Sequence, residues 1–232
     1  MNEEQQQPDA AAEEPSSQRL VGTLAVAGLI SGIIIIAIYL VTFETIKENK
    51  ARELREAVFR VLPGVAQLQK LVIKDNQWVV SYAEEKGEEP VYGGYDKDGN
   101  FIGYAIPSAG PGFQDVISVL YGYKPEVRKV VGMWILDSRE TPGLGDKIYK
   151  DAAFVANFDD LSIDPTIVLV KKGKKSKPNE ADSITGATIS AKAVVRIINE
   201  GNERWLTRLP EPGSEPAFVK VEVEPKETEA QE

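Results

Sequence analysis

The sequence predicts an α+β protein: one apolar helix near the N-terminus, then a single domain in which a mostly antiparallel sheet is packed by helices. Three observations carry this expectation. Residues 20–43 form a run of 24 residues without a charged side chain. Six short segments rich in β-branched and aromatic residues, several bounded by turn residues, follow between positions 78 and 171. A final segment from Thr188 to about Asn199 repeats its apolar residues at the helical period.

Taken in order, residues 1–19 are acidic, rich in Gln and Ala and short of large apolar side chains, so they are expected to be disordered. As a helix, residues 20–43 would span ~36 Å, against a hydrocarbon core of ~30 Å. One transmembrane helix follows. A signal peptide fits poorly, because the run is too long, its N-terminal flank is not basic and no small-x-small cleavage site follows Leu40. A buried core helix fits less well still, since such helices seldom run this far without a polar face. Residues 44–64 place Ile46, Leu54, Ala57, Val58 and Val61 at rough helical spacing before Pro63-Gly64, which predicts a stalk helix with a defined stop.

Residues 65–206 have the size of one domain. Strands are expected over 78–83, 90–95, 101–106, 116–121, 127–136 and 166–171. Asp98-Gly99 is a hairpin signal, and residues 130–136 are apolar on both alternating faces, as in a strand covered on both sides. Short helices fit within 145–158. In the last helix Ala187, Ala191, Val194, Val195 and Ile198 fall at i, i+4, i+7, i+8 and i+11, the spacing of a helix laid on a sheet. Residues 207–232 turn to Glu, Pro, Lys and Thr and are expected to form a disordered acidic tail. The chain has no internal repeat.

Composition excludes whole classes of chemistry. With Cys 0 and His 0, thiolate iron–sulfur clusters, His-ligated haem, most zinc sites and every Ser–His or Cys–His pair are ruled out. Redox chemistry, if present, rests on an organic cofactor. No acidic spacing of the EF-hand kind occurs, and no metal site is expected. A net charge of −9 argues against a nucleic-acid partner.

Two stretches could carry function. Residues 182–190, D-S-I-T-G-A-T-I-S, lie at the mouth of the last helix, where unpaired N–H groups and the positive end of the dipole favour an anion. Gly186 lets the backbone approach a ligand closely. The plainer reading is an N-cap in which Ser183 or Thr185 satisfies those donors. Residues 138–146, S-R-E-T-P-G-L-G-D, put Glu140 and Thr141 on a loop at the end of an apolar strand, a common place for ligand contacts, although Pro142-Gly143 also explains a tight turn.

Together, E-T-P-G-L-G and, some forty residues later, S-I-T-G-A-T preceded by Asp182 resemble the FMN-binding domain of the G subunit of the Rnf electron-transport complex. The C subunit of the Na⁺-translocating NADH:quinone reductase is its cousin. Gly112 to Asp115, Leu120 to Tyr123 and the single N-terminal transmembrane helix extend the resemblance over most of the chain. The short spacing and the phrase from Ile117 to Tyr123 look more like the Rnf protein. Two departures stand out. Asp137-Ser138-Arg139 replaces a His found in many relatives, and Ala191 stands where many have Ser.

The resemblance implies FMN held as a phosphoester on Thr188 and placed there by a flavin transferase of the ApbE type that uses FAD and recognises the tetrapeptide with Asp182. Ser183, Thr185, Gly186 and Ala187 would shape the approach. Glu140, Thr141, Gly143 and Leu144 would line the flavin, with Leu144 against the ring and Thr141 donating a hydrogen bond. No catalytic residue is implied. The partners would be the membrane and the other subunits of a complex that couples electron transfer between ferredoxin and NAD⁺ to Na⁺ or H⁺ movement. Phe113, Tyr121 and Tyr123 would be candidates for an interface. The resemblance implies an extracytoplasmic flavin domain, whereas the Lys/Arg count reads the reverse: only Arg19 precedes the apolar run, and Lys47, Lys50, Arg52 and Arg55 follow it. A flavinylated reductase module, which would need a second domain, and an anchored scaffold without a redox group are the other readings.

Overall fold

The structure, a computed structural model, describes residues 16–75, 77–82 and 87–219. Of the disorder expected for residues 1–19 and 207–232, the parts at 1–15 and 220–232 lie outside the described residues, and the first expectation is corrected at Ser17, Gln18 and Arg19, which open the first helix. The chain divides into two compact units, with the boundary after Ala51.

Helix α1, Ser17–Val61, joins the two segments expected at 20–43 and 44–64 into one uninterrupted element. Nothing between Phe43 and Arg60 breaks a helix, and the chain turns only at Pro63-Gly64, where Gly64 takes φ +95°. Along 20–43 the large apolar side chains are exposed, and the helix is long and apolar enough to cross a membrane. Past Ala51 its character changes, because Ala57, Val58 and Val61 are buried within the second unit.

That unit is built on a seven-stranded antiparallel sheet with β1 (Gln67–Lys74), β2 (Gln77–Val80), β3 (Val91–Tyr95), β4 (Phe101–Pro111), β5 (Val116–Lys124), β6 (Lys129–Ser138) and β7 (Leu161–Ser162), in the order β2-β1-β3-β4-β5-β6-β7. After β6 come two single-turn helices, α2 (Lys147–Lys150) and α3 (Ala152–Val155), and a 3-10 turn, Ala156–Phe158. A parallel pair, β8 (Val168–Val170) and β9 (Glu180–Asp182), leads into helix α4, Thr188–Trp205. The α+β architecture holds, with strand β1 added at the front and α4 running six residues past its expected end at Asn199. The extension follows from Gly201, which lets the helix lie against Tyr121, and from Trp205, which is buried at its end.

Both faces of the sheet are covered. On one, Ile106, Ile117, Val119, Tyr121 and Val130 pack beneath Val194, Ile197 and Ile198 of α4. On the other, Ala57, Val58, Val61 and Leu62 rest on Ala105 and Leu120, flanked by Val131, Trp134 and Leu136. The two-sided apolar pattern of β6 thus has both its covers. The close fit on the second face depends on Gly122 and Gly132, which are paired across β5 and β6. A Cβ on Gly122 would stand 1.9 Å from the Val61 carbonyl oxygen and one on Gly132 2.6 Å from it, so the last turn of α1 sits directly on bare backbone. Tyr121 and Tyr123, candidates for an interface, belong instead to the core.

The expectation of a disordered tail from 207 onward is corrected up to Val219. Trp78 Nε1 donates to the Arg208 carbonyl (2.9 Å), Tyr95 Oη to that of Pro216 (2.6 Å) and Gln69 Nε2 to that of Val219 (3.0 Å), while Phe218 packs on the Tyr95 ring. A few anchors suffice to lay this Pro-rich segment along β1 to β3.

Candidate functional site

The two stretches singled out in the sequence meet at one end of the sheet. Loop 140–146 leaves β6, and the turn at Thr185-Gly186 leaves β9 and opens α4. Between them is a cleft of about 220 Å³. Phe113, Thr141, Leu144 and Gly145 line one side, and residues 186–190 line the other. Phe113, Leu144 and Ile189 are 65%, 53% and 58% exposed, so three large apolar side chains face solvent around the single turn that carries Thr188. A larger hollow of about 830 Å³ lies elsewhere, beside Trp78, Trp205 and Arg208. It contains neither motif, and its walls mix charged side chains with apolar ones.

The head of α4 lacks a cap. Its N-cap residue is Ala187, with no side-chain hydrogen bond to the first-turn N–H groups. Alanine is among the poorest residues for this position. Ser183 and Thr185, the expected caps, fall short because the turn at Thr185-Gly186, with Gly186 at φ +82°, advances the chain before the helix begins. Thr188 is the first helical residue and is exposed. Its hydroxyl has one recorded protein contact, a 3.3 Å bond to the Ile184 carbonyl.

Behind the cleft, Glu140 ties the walls together. The residue is 5% exposed, and its carboxylate accepts the N–H groups of Phe113 (2.8 Å) and Gln114 (3.0 Å) and the Ser190 hydroxyl (2.5 Å). Burial alone would raise its pKa, but the bonds from Ser190, Gln114 and Phe113 outweigh that and hold it below the ordinary 4.5. Gly112 and Gly145 make room, since a Cβ on either would lie 2.4 Å from a Glu140 oxygen. Thr141 Oγ1 donates to Gln114 Oε1 at 2.7 Å, closing the same corner.

With this geometry in view, the chain can be set beside known proteins. The FMN-binding domain family matches residues 112–203, a span that contains the cleft and all of Glu140's partners. The G subunit of a proton-translocating ferredoxin:NAD(+) oxidoreductase complex from Clostridium ljungdahlii is 32% identical over 184 residues, 79% of this chain and 89% of that protein. The G subunit of an ion-translocating oxidoreductase complex from Methanosarcina acetivorans is 30% identical, covering 78% and 90%. The chain belongs to the family of G subunits of ion-translocating oxidoreductase complexes. The C subunit of the Na(+)-translocating NADH-quinone reductase from Parabacteroides distasonis shares the fold, with a TM-score of 0.56 at 19% identity over 73% of this chain and 96% of that one.

Within this member of the G-subunit family, the residues singled out in the sequence separate by location. Thr188, Gly186, Ala187, Thr141 and Leu144 border the cleft. Glu140 does not face it; it stands behind as the link just described. Asp182 also points elsewhere, its Oδ1 accepting the backbone N–H groups of Lys174 and Lys175 at 3.2 and 3.3 Å. Ser183 is half-buried and donates its N–H to Val170, Thr185 is exposed on the turn, and Gly143 takes φ +78° in the loop. Gly145, Ile189 and Ser190 line the cleft from within the two stretches but had been given no contact, and Phe113, read only as an interface candidate, lines it too. Among the described residues no cluster of acids is placed to hold a metal ion.

The site fits FMN on its own terms. It pairs an open apolar clamp for a planar ring with a hydroxyl on an uncapped helix end suited to phosphate. The Glu140 link can be tested by stability. Glu140→Ala strands two backbone N–H groups and should destabilise the domain by about 2–4 kcal/mol, while Glu140→Gln retains an acceptor and should cost less. The sign with pH follows from the lowered pKa: the carboxylate's contribution is complete above about 4.5 and is lost as pH falls through its depressed folded-state value. Thermal midpoints should therefore drop more steeply in acid for the parent than for Glu140→Gln, and parallel curves would remove Glu140 as the link.

Proposed function

We propose that the chain is a membrane-anchored electron carrier of an ion-translocating ferredoxin:NAD⁺ oxidoreductase, with FMN held as a phosphoester on Thr188. The observation that carries this reading is the head of α4, where an exposed threonine hydroxyl stands on an uncapped helix end at the edge of an apolar cleft. FMN, when bound, supplies one- and two-electron redox chemistry. The chain's own residues supply the seat: the first-turn N–H groups of α4 offer donors to a phosphate, and Phe113, Leu144 and Ile189 offer apolar surface to a ring. A tether makes retention intramolecular, so the carrier keeps its flavin in a dilute aqueous compartment.

The partners in this reading are the other subunits of the complex, the membrane, and a flavin transferase of the ApbE type that delivers FMN to Thr188. The G-subunit relatives bear different ions in their names, proton in one and Na(+) in another from Acetobacterium woodii, and neither ion is assigned to this chain. The direct test is a denaturing gel viewed under ultraviolet light, using chain produced with the transferase, followed by mass mapping of the peptide that holds Thr188. A non-fluorescent band overturns the reading.

The flavin domain is assigned to the extracytoplasmic side. Four acids, Glu44, Glu48, Glu53 and Glu56, are interleaved with the bases that follow the apolar run, and assembly beside partner subunits can override a weak charge bias. Reporter fusions placed after Trp205 should be active outside the cytoplasm, and cytoplasmic activity would reverse the assignment.

A further inference from the structure

We propose that Lys147 is the cation that holds the phosphate at Thr188, an assignment that rests on the flavin-ester reading above. Lys147 opens α2 directly after loop 140–146, whose Thr141, Leu144 and Gly145 line the cleft wall opposite Thr188. Its side chain crosses to the other wall: a Cβ built on Gly186 would have Lys147 Nζ at 3.8 Å and no other atom beyond its chain neighbours within 4 Å. The ammonium therefore stands over the turn that delivers Thr188 to the helix, on the side left open by the absence of a side chain at Gly186.

Lys147 forms no close ion pair; the Asp146 carboxylate, bonded to Lys150, feels its charge only at longer range. Among the described residues no carboxylate oxygen lies within 4.0 Å of Nζ, whereas Lys150, one turn on, holds Asp146 at 2.6 Å. Two sources of positive potential thus converge without an acceptor of their own, the ammonium of Lys147 and the uncapped N–H groups of α4. A phosphate esterified to both flavin and threonine keeps one negative charge and free oxygens, which suits this pair of donors. The two act from opposite walls, so the anion would close the cleft across its floor. Lys147 is a positioning residue here, orienting the phosphate before and after the ester forms.

Two readouts on the full chain in detergent test the assignment. In the first, the parent and Thr188→Val, both produced with the transferase, are acetylated at limiting reagent, and each lysine is quantified by peptide mass. Lys147 should be protected in the flavin-bearing parent and reactive in Thr188→Val, while Lys150 labels alike in both. In the second, flavin incorporation is timed at limiting transferase. Lys147→Met should slow it about tenfold, the worth of one charge-assisted bond, and Lys147→Arg should restore most of the rate. A parent chain without the flavin mass overturns both this assignment and the reading beneath it. Flavin present with Lys147 equally reactive in both proteins, or with Lys147→Met incorporated at the parent rate, overturns the role of Lys147 alone.

Discussion

Thr188→Val should remove the flavin completely and leave the fold nearly untouched. Valine matches threonine in shape and branching but has no oxygen to esterify, so covalent flavin falls to zero rather than to a fraction. The structural cost is small because Thr188 is exposed and its hydroxyl makes a single long bond, 3.3 Å to Ile184. Losing such a bond costs up to about 1 kcal/mol, and the two residues have similar helix propensity. The thermal midpoint should therefore move by no more than about 4 °C for a domain of this size. Thr207→Val is the matched control. Thr207 is also exposed, lies outside the tetrapeptide and does not border the cleft, so flavin should remain. The checks are intact mass, in-gel fluorescence and a melting curve on each protein. Flavin that survives in Thr188→Val would place the attachment on another residue.

The contrast between Thr188 and Glu140 shows how far this sequence can be read. The position of Thr188 at the head of α4 is legible because its setting is local: a glycine, a turn and an apolar helix all lie within a few positions of it. The apolar run of α1 and the face of α4 were legible for the same reason, since each periodicity is complete within its own segment. Glu140 looked like a ligand contact because an acid on a loop is usually solvated. Its partners lie 26, 27 and 50 positions away, and nothing in its own stretch shows that they enclose it. The bonds of Asp182 are hidden similarly, since its oxygen accepts from a loop of lysines whose return past β9 is a tertiary event. The helix cap failed on a smaller scale. Ser183 and Thr185 have the right chemistry, but the left-handed Gly186 spends two residues on a turn and leaves Ala187 in the cap position. Strand β1 escaped because its Gln and Lys residues interrupt the alternation of its four apolar ones, and the segment 207–219 because its Pro, Gly and polar residues show no period; both act through contacts across the sheet.

Gly122→Ala should be the most destabilising single methyl in the domain, and the reason again is a contact that no local pattern announces. The added Cβ would meet the Val61 carbonyl oxygen at 1.9 Å and the Val61 carbonyl carbon at 2.8 Å. Both are backbone atoms, so no side chain can rotate away. The helix end has two responses. It can detach, which exposes Val58, Val61 and Leu62, now at 0%, 1% and 0% accessibility. At about 1.5–3 kcal/mol for each side chain, detachment forfeits roughly 5–9 kcal/mol. Alternatively it can stay and shift, and overpacking of this kind costs typically about 1–3 kcal/mol, sometimes more. The smaller penalty wins, so the variant should fold with the last turn of α1 displaced and should lose about 3 kcal/mol, a fall of roughly 6–12 °C in thermal midpoint. Gly132→Ala, aimed at the same oxygen from the paired position, should behave alike. Since both act on one carbonyl, the double variant should cost less than the sum of the two. Full additivity in that cycle, or a midpoint unchanged in Gly122→Ala, would mean that α1 does not rest on these glycines.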